Sequence, residues 1–148
     1  MQTILWISIF YTGEEIVMKK NSFVNLLLPS AILRKLTSEE MDVYLEPFKE
    51  EKHRRPTLTW PREIPILEDG PADVCEFAKN YYAWLTQSHD VPKLYVRADP
   101  GFFTDDIDKV AKNFPNQRCI TVKGHHFLQE DSPDEIGVAV RDFVQTLD

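Results

Sequence analysis

The stretch KLYVRADPGFFTDDIDKVAKNFPNQRCITVKGHHFLQEDSPDEIGVAVRDFVQTL, residues 93–147, decides the fold class. Residues 93–98 read as a strand, and Asp99-Pro100-Gly101 closes it with turn-forming residues. Residues 103–114 carry a helical pattern, and Pro115-Asn116 makes a second turn. Residues 118–123 are the next strand, and residues 124–131 a loop. Ser132-Pro133-Asp134-Glu135 then combines an N-cap, a first-turn proline and a capping-box glutamate. Ile136, Ala139, Val140, Phe143, Val144 and Leu147 fall on one face of the helix that follows. Strand–helix–strand–helix is the grammar of a parallel sheet covered by helices, so the class is α/β. Parallel strands are ordinarily buried on both faces and flanked by others. Two of them read as one end of a larger sheet.

Upstream the pattern is helical. Residues 14–28 suggest a helix ending before Pro29, and residues 30–36 a short one. Thr37-Ser38-Glu39-Glu40 is a capping box with Thr37 as N-cap, and the helix it opens stops near Pro47. His53, Arg54 and Arg55 lie in a charged stretch read as solvated, and residues 56–62 as irregular or short helical chain. Pro71 suits the first position of a helix whose buried face is Val74, Phe77, Ala78, Tyr81 and Leu85. Residues 1–12 stand apart in style. The apolar run 4–11 has no basic flank and no small-residue cleavage site, and it is too short to span a bilayer as a helix. It reads as a buried strand, a short anchor or, the favoured reading, a stretch foreign to the domain.

Composition excludes several function classes. Lys plus Arg is 17 against 24 for Asp plus Glu, a net charge of −7, with no basic stripe to attract a nucleic acid. The two cysteines, Cys75 and Cys119, form no C-x-x-C, so neither a disulfide framework nor a cysteine-rich zinc site is expected. The nearest two of the five glycines, Gly124 and Gly137, are 13 apart. No G-x-G-x-x-G, Walker or G-x-S-x-G motif exists in this chain.

The chemistry concentrates in the loop after the second strand, Lys123-Gly124-His125-His126-Phe127. Open α/β sheets bind ligands at the carboxyl ends of their strands, where a histidine suits general acid–base work. A pair of solvated loop histidines is the plainer alternative. Adjacent side chains diverge and no third ligand is apparent, so metal is not expected. Asp99 follows the first strand, where it is either an acid that orients the histidine or an ordinary turn opener. Phe102, Phe103 and Phe127 fit an apolar pocket and equally fit core packing.

Four stretches carry a resemblance: YLEPFKE at 44–50, RRPTLTWPREIP at 54–65, DPGFF at 99–103 and GHHFLQEDSPDE at 124–135. Together they resemble the C-terminal part of the haloalkane dehalogenase family of α/β hydrolases, nearest to its Renilla-type luciferase branch, the coelenterazine 2-monooxygenases. The resemblance implies an incomplete α/β-hydrolase fold. Residues 1–12 form an atypical N-terminal segment, residues 13–70 a helical cap region, and residues 71–148 the end of the core with its last two strands. His126 becomes the catalytic histidine, and Phe23, Pro61, Phe102, Phe103 and Phe127 line the substrate pocket. His125 stands where the family usually has an apolar residue, and Ser22 replaces an aromatic of the luciferase branch.

The family's nucleophile is an aspartate in an Asp-Trp-Gly elbow, and no such triplet occurs in these residues. A base without its nucleophile implies that the chain alone is inactive. The expectation is therefore a fragment of an enzyme, with a non-catalytic binding or interaction module as the alternative. Implied partners are an apolar small molecule, coelenterazine-like or halogenated, and a complementing N-terminal half that pairs with an open strand edge. No cofactor, nucleic acid or membrane is implied, and the expected location is cytoplasmic.

Overall fold

The computed structural model describes residues 12–65 and 70–147. The apolar run 4–11 lies outside them. The chain divides into two compact units: residues up to Ser30 with Lys35–Ala78, and Ala31–Arg34 with residues from Lys79 onward.

In the first unit the expected single helix over 14–28 is two wide π-helical pieces, Glu14–Lys19 and Phe23–Leu27, with a last turn at Leu28–Ser30 that includes Pro29. The break falls at Asn21, whose φ is +53°. Asparagine tolerates that left-handed geometry better than most residues. Asn21 is buried, and its Nδ2 donates to the Phe48 carbonyl at 3.3 Å. Val17, Met18, Leu27 and Leu58 form the core, with Ile16 and Phe23 packed on it. Helix α1, Ser38–Leu45, starts on the expected capping box: Thr37 accepts from the Glu40 amide and Glu40 accepts from the Thr37 amide. Helix α2, Arg55–Arg62, supplies the fully buried Leu58, whose burial is worth roughly 1.5–3 kcal/mol.

Arg54 corrects the solvated reading of its stretch. It is half-buried, and its guanidinium donates to the carbonyls of Phe48, Met18, Lys19 and Lys49 at 2.6–3.0 Å. The fork-shaped donor set satisfies several helix-end carbonyls at once.

Helix α3, Ala72–Gln87, begins where Gly70-Pro71 places it. Its expected buried face is a second correction. Val74 and Leu85 are half-buried, but Phe77 is 69% and Tyr81 52% exposed. An apolar stripe is buried only when another layer covers it.

In the second unit β1, Lys93–Pro100, and β2, Gln117–Gly124, pair in parallel, with Lys93 opposite Gln117 and Pro100 opposite Gly124. Both strands run past their expected ends, so Asp99 and Pro100 belong to the strand and the turn starts at Gly101. Helix α4, Thr104–Ala111, crosses between them. Its Asp108 accepts from Tyr95 Oη at 2.7 Å and Arg97 Nε at 2.9 Å, fastening α4 to β1. Those two donors hold the Asp108 carboxyl below its ordinary range, and burial together with Asp108 pushes the Tyr95 phenol up to about 12. A helical turn α5, Leu128–Asp131, and helix α6, Pro133–Val144, complete the unit.

Two further expectations are corrected here. Ser132 stands at the N-cap of α6 with Pro133 in the first turn, but its side chain makes no cap hydrogen bond; its hydroxyl donates to the Lys123 carbonyl at 2.8 Å. Residues 31–36 are not helical; the Ala31 carbonyl accepts from the histidine loop, and the Leu33 and Arg34 amides donate to Asp131. On α6, Ala139 is buried and Ile136 and Phe143 half-buried, while Val140 and Val144 are exposed.

Candidate active site

The two strands end side by side, and the Gly101 amide donates to the Gly124 carbonyl at 3.0 Å. The loops that follow therefore leave the sheet from one edge, the end where parallel sheets place ligands. Gly101 has φ +70°, and a Cβ there would meet Thr104 Oγ1 at 1.6 Å. Only glycine makes this turn, which delivers Phe102 and Phe103 to the strand ends.

These rings meet the second histidine. The His126 ring lies edge-on to three phenyls, with centroids 5.9 Å from Phe102, 6.1 Å from Phe103 and 4.9 Å from Phe127. Phe102 and Phe103 pack edge to face at 4.6 Å. His126 keeps one side open to solvent, yet the desolvation of its packed side lowers its pKa below the ordinary imidazole value. A neutral imidazole accepts a proton, which suits a general base.

The sign of that shift gives a testable pH dependence. A lowered native pKa means that the folded chain binds fewer protons at His126 than the unfolded chain does. The benefit is complete above the ordinary imidazole value and is lost as pH falls through the native value. Urea midpoints measured at about pH 7.5 and about pH 5.5 are expected to fall more steeply for the native sequence than for His126→Gln. Parallel behaviour of the two proteins would refute it.

Phe102, Phe103, His125 and His126 line a cavity of about 80 Å³, together with Tyr95, Val96, Ala98, Thr104, Ile107 and Leu128. Pockets for drug-sized ligands measure roughly 300–1,000 Å³, so this cavity is smaller than such a pocket. His125 is half-buried, and its Nδ1 is buried without a hydrogen-bond partner. Asp99 is exposed near the end of β1, opposite Lys123. Phe23 and Pro61 lie in the first unit, Phe23 against the core cluster and Pro61 fully buried. Thus Phe102, Phe103, His126 and Phe127 come together within the second unit, and Phe23 and Pro61 belong to the first. Sequence reasoning gave no role to Asp131, Thr104 or the segment Ala31–Arg34. Thr104 could have been found through the turn that begins at Gly101. Nothing local announces the contacts of Ala31–Arg34. Among the described residues no cluster of three His, Cys, Asp or Glu is placed to hold a metal ion, and no helix is long and apolar enough to cross a membrane.

No family model matches the chain. It is 52% identical over 134 residues to the coelenterazine h 2-monooxygenase of Renilla reniformis, covering 90% of this chain and 43% of that one. It is 50% identical over 137 residues to a haloalkane dehalogenase of Sphingobium indicum, covering 91% and 46%. Among solved structures, an ancestral haloalkane dehalogenase, AncHLD2, superposes with a TM-score of 0.83 at 41% identity, over 90% of this chain and 47% of that one. These residues are homologous to the C-terminal part of haloalkane dehalogenase-family α/β hydrolases. The dehalogenase DbeA of Bradyrhizobium elkani agrees, with a TM-score of 0.83 at 37% identity, over 90% of this chain and 46% of that one. The chain spans a little under half the length of the curated relatives it matches. What it carries of the dehalogenase-family fold is the C-terminal part, with two parallel strands and their helices.

Proposed function

We propose that these 148 residues supply the base-bearing side of a haloalkane dehalogenase-family site, with His126 as the base and Phe102, Phe103 and Phe127 as its apolar wall. In this reading residues 13–70 are the cap region and the attacking carboxylate comes from chain outside these residues. The observation that carries it is the packing of His126 against three aromatic rings, with its pKa lowered, beyond the carboxyl end of β2. Two chemistries fit. A carboxylate displaces halide from an apolar halocarbon to give an ester. His126 then takes a proton from the water that attacks the ester carbonyl, which releases the alcohol and frees the carboxylate. Alternatively coelenterazine is oxidised by O₂ with no added cofactor. The luciferase-like wording of the four motifs favours the second.

The test is complementation. The purified 148-residue chain is mixed with the N-terminal half of the Renilla reniformis relative, and halide release and coelenterazine light emission are both followed. Each half alone is expected to be silent and the mixture active. Turnover by the isolated chain, or a silent mixture of two demonstrably folded halves, would refute the proposal. A saturable coelenterazine fluorescence change without turnover would instead support a non-catalytic binding module.

A further inference from the structure

The loop that carries His126 is bonded to a segment almost a hundred residues earlier. The Asp131 carboxylate accepts from the Leu33 amide at 2.9 and 3.0 Å through its two oxygens, from the Arg34 amide at 2.9 Å and from the His125 amide at 2.9 Å. The Ala31 carbonyl accepts from the His126 amide at 2.9 Å and the Phe127 amide at 3.3 Å. The Arg34 side chain closes the arrangement on Glu130, with Nε donating to its carbonyl at 2.6 Å and Nη2 pairing with its carboxylate at 2.7 Å. Gly124 makes room for the clamp. Its φ is +158°, and a Cβ there would approach Leu128 Cδ2 to 2.7 Å and Asp131 Cβ to 3.0 Å. All of these residues belong to the second unit.

Three amides on one ionised carboxylate are charge-assisted bonds, shorter and stronger than neutral ones. Leu33 and Arg34 lie in chain with no regular secondary structure, so no helix or strand satisfies these amides. The third amide belongs to the residue before His126. A shift of the His125 backbone moves His126 as well, and with it the contacts of that ring with Phe102, Phe103 and Phe127. Burial pushes the Asp131 carboxyl up, but the donors Arg34, Leu33 and His125 outweigh it and hold the group below its ordinary range.

We propose that Asp131 is a positioning residue for His126, its carboxylate tying the His125 backbone to Leu33 and Arg34 so that the imidazole is held among Phe102, Phe103 and Phe127. The catalytic meaning rests on the reading of His126 as the base, but the placement of the ring can be tested without turnover. The chain is labelled at histidine, and the His126 ring resonances are assigned by their loss in His126→Gln. Spectra are compared for the native sequence, Asp131→Ala, Asp131→Asn and Glu130→Gln at one near-neutral pH.

The native His126 resonances are expected to be displaced by the ring currents of its neighbours. Asp131→Ala moves them toward those of a free imidazole, and Asp131→Asn, which keeps one acceptor oxygen, moves them part of the way. Glu130→Gln, which keeps every amide bond to Asp131, leaves them in place. In the complemented protein Asp131→Ala lowers kcat about tenfold with little change in KM, and Asp131→Asn recovers part of the loss. Unmoved His126 resonances in a folded Asp131 variant would overturn the proposal. So would the unfolding of both variants, which would make Asp131 a general stabiliser. A silent complemented native protein refutes the functional reading alone, because the ring resonances still decide whether Asp131 places His126.

Discussion

His126→Ala is expected to lower turnover of the complemented protein by a factor on the order of a million, with KM nearly unchanged. The substitution removes the imidazole and leaves the wall of Phe102, Phe103 and Phe127 in place. The backbone bond from residue 126 to the Ala31 carbonyl also survives, since it uses the amide and not the ring. Binding of an apolar substrate depends on the rings, so it persists, while proton transfer has no acceptor. Steady-state kinetics with the native and substituted chains check this directly, and a loss of less than about tenfold would mean that another group does the proton transfer.

Gly101→Ala is expected to destabilise the second unit by about 2–4 kcal/mol. The positive φ penalises any Cβ, and the added methyl would overlap the Thr104 hydroxyl and approach Thr104 Cβ to 2.8 Å. Thr104 has little freedom to retreat, because it is buried and its hydroxyl donates to the Ala98 carbonyl at 3.2 Å. Relief requires Gly101 to move, and that breaks its bond to Gly124 and shifts Phe102 and Phe103 away from His126. Urea unfolding measures the loss, and the histidine ring resonances report the shift. A cost below about 0.5 kcal/mol would show that the turn repacks freely.

These two residues also show which parts of the molecule were readable beforehand. β1, β2 and the helix between them follow from local pattern, because each is set by residues near one another in sequence. The Thr37 capping box was equally plain, since its partner is three residues away. Residues 31–36 carry a helical pattern but do not form a helix, because the Leu33 and Arg34 amides bond Asp131, a partner that no local window contains. Ser132 holds the expected N-cap position, but its hydroxyl points to the Lys123 carbonyl instead of capping the helix. Arg54 looked solvated in a run of charges, yet its geometry lets it collect four carbonyls. The exposed stripe on α3 is a different case. Phe77 and Tyr81 share one face of α3, but a pattern does not reveal whether another layer covers it. At the site, the position of His126 after a strand is legible in the sequence, and its contacts with three rings come from the fold.

The 98-residue separation of Leu33 from Asp131 has a consequence for synthesis. A ribosome adding about 5–20 residues per second delivers the Leu33 and Arg34 amides roughly 5–20 seconds before their acceptor is made. During that interval water or a chaperone must solvate them. The Asp131 bonds therefore form only after both strands have been made.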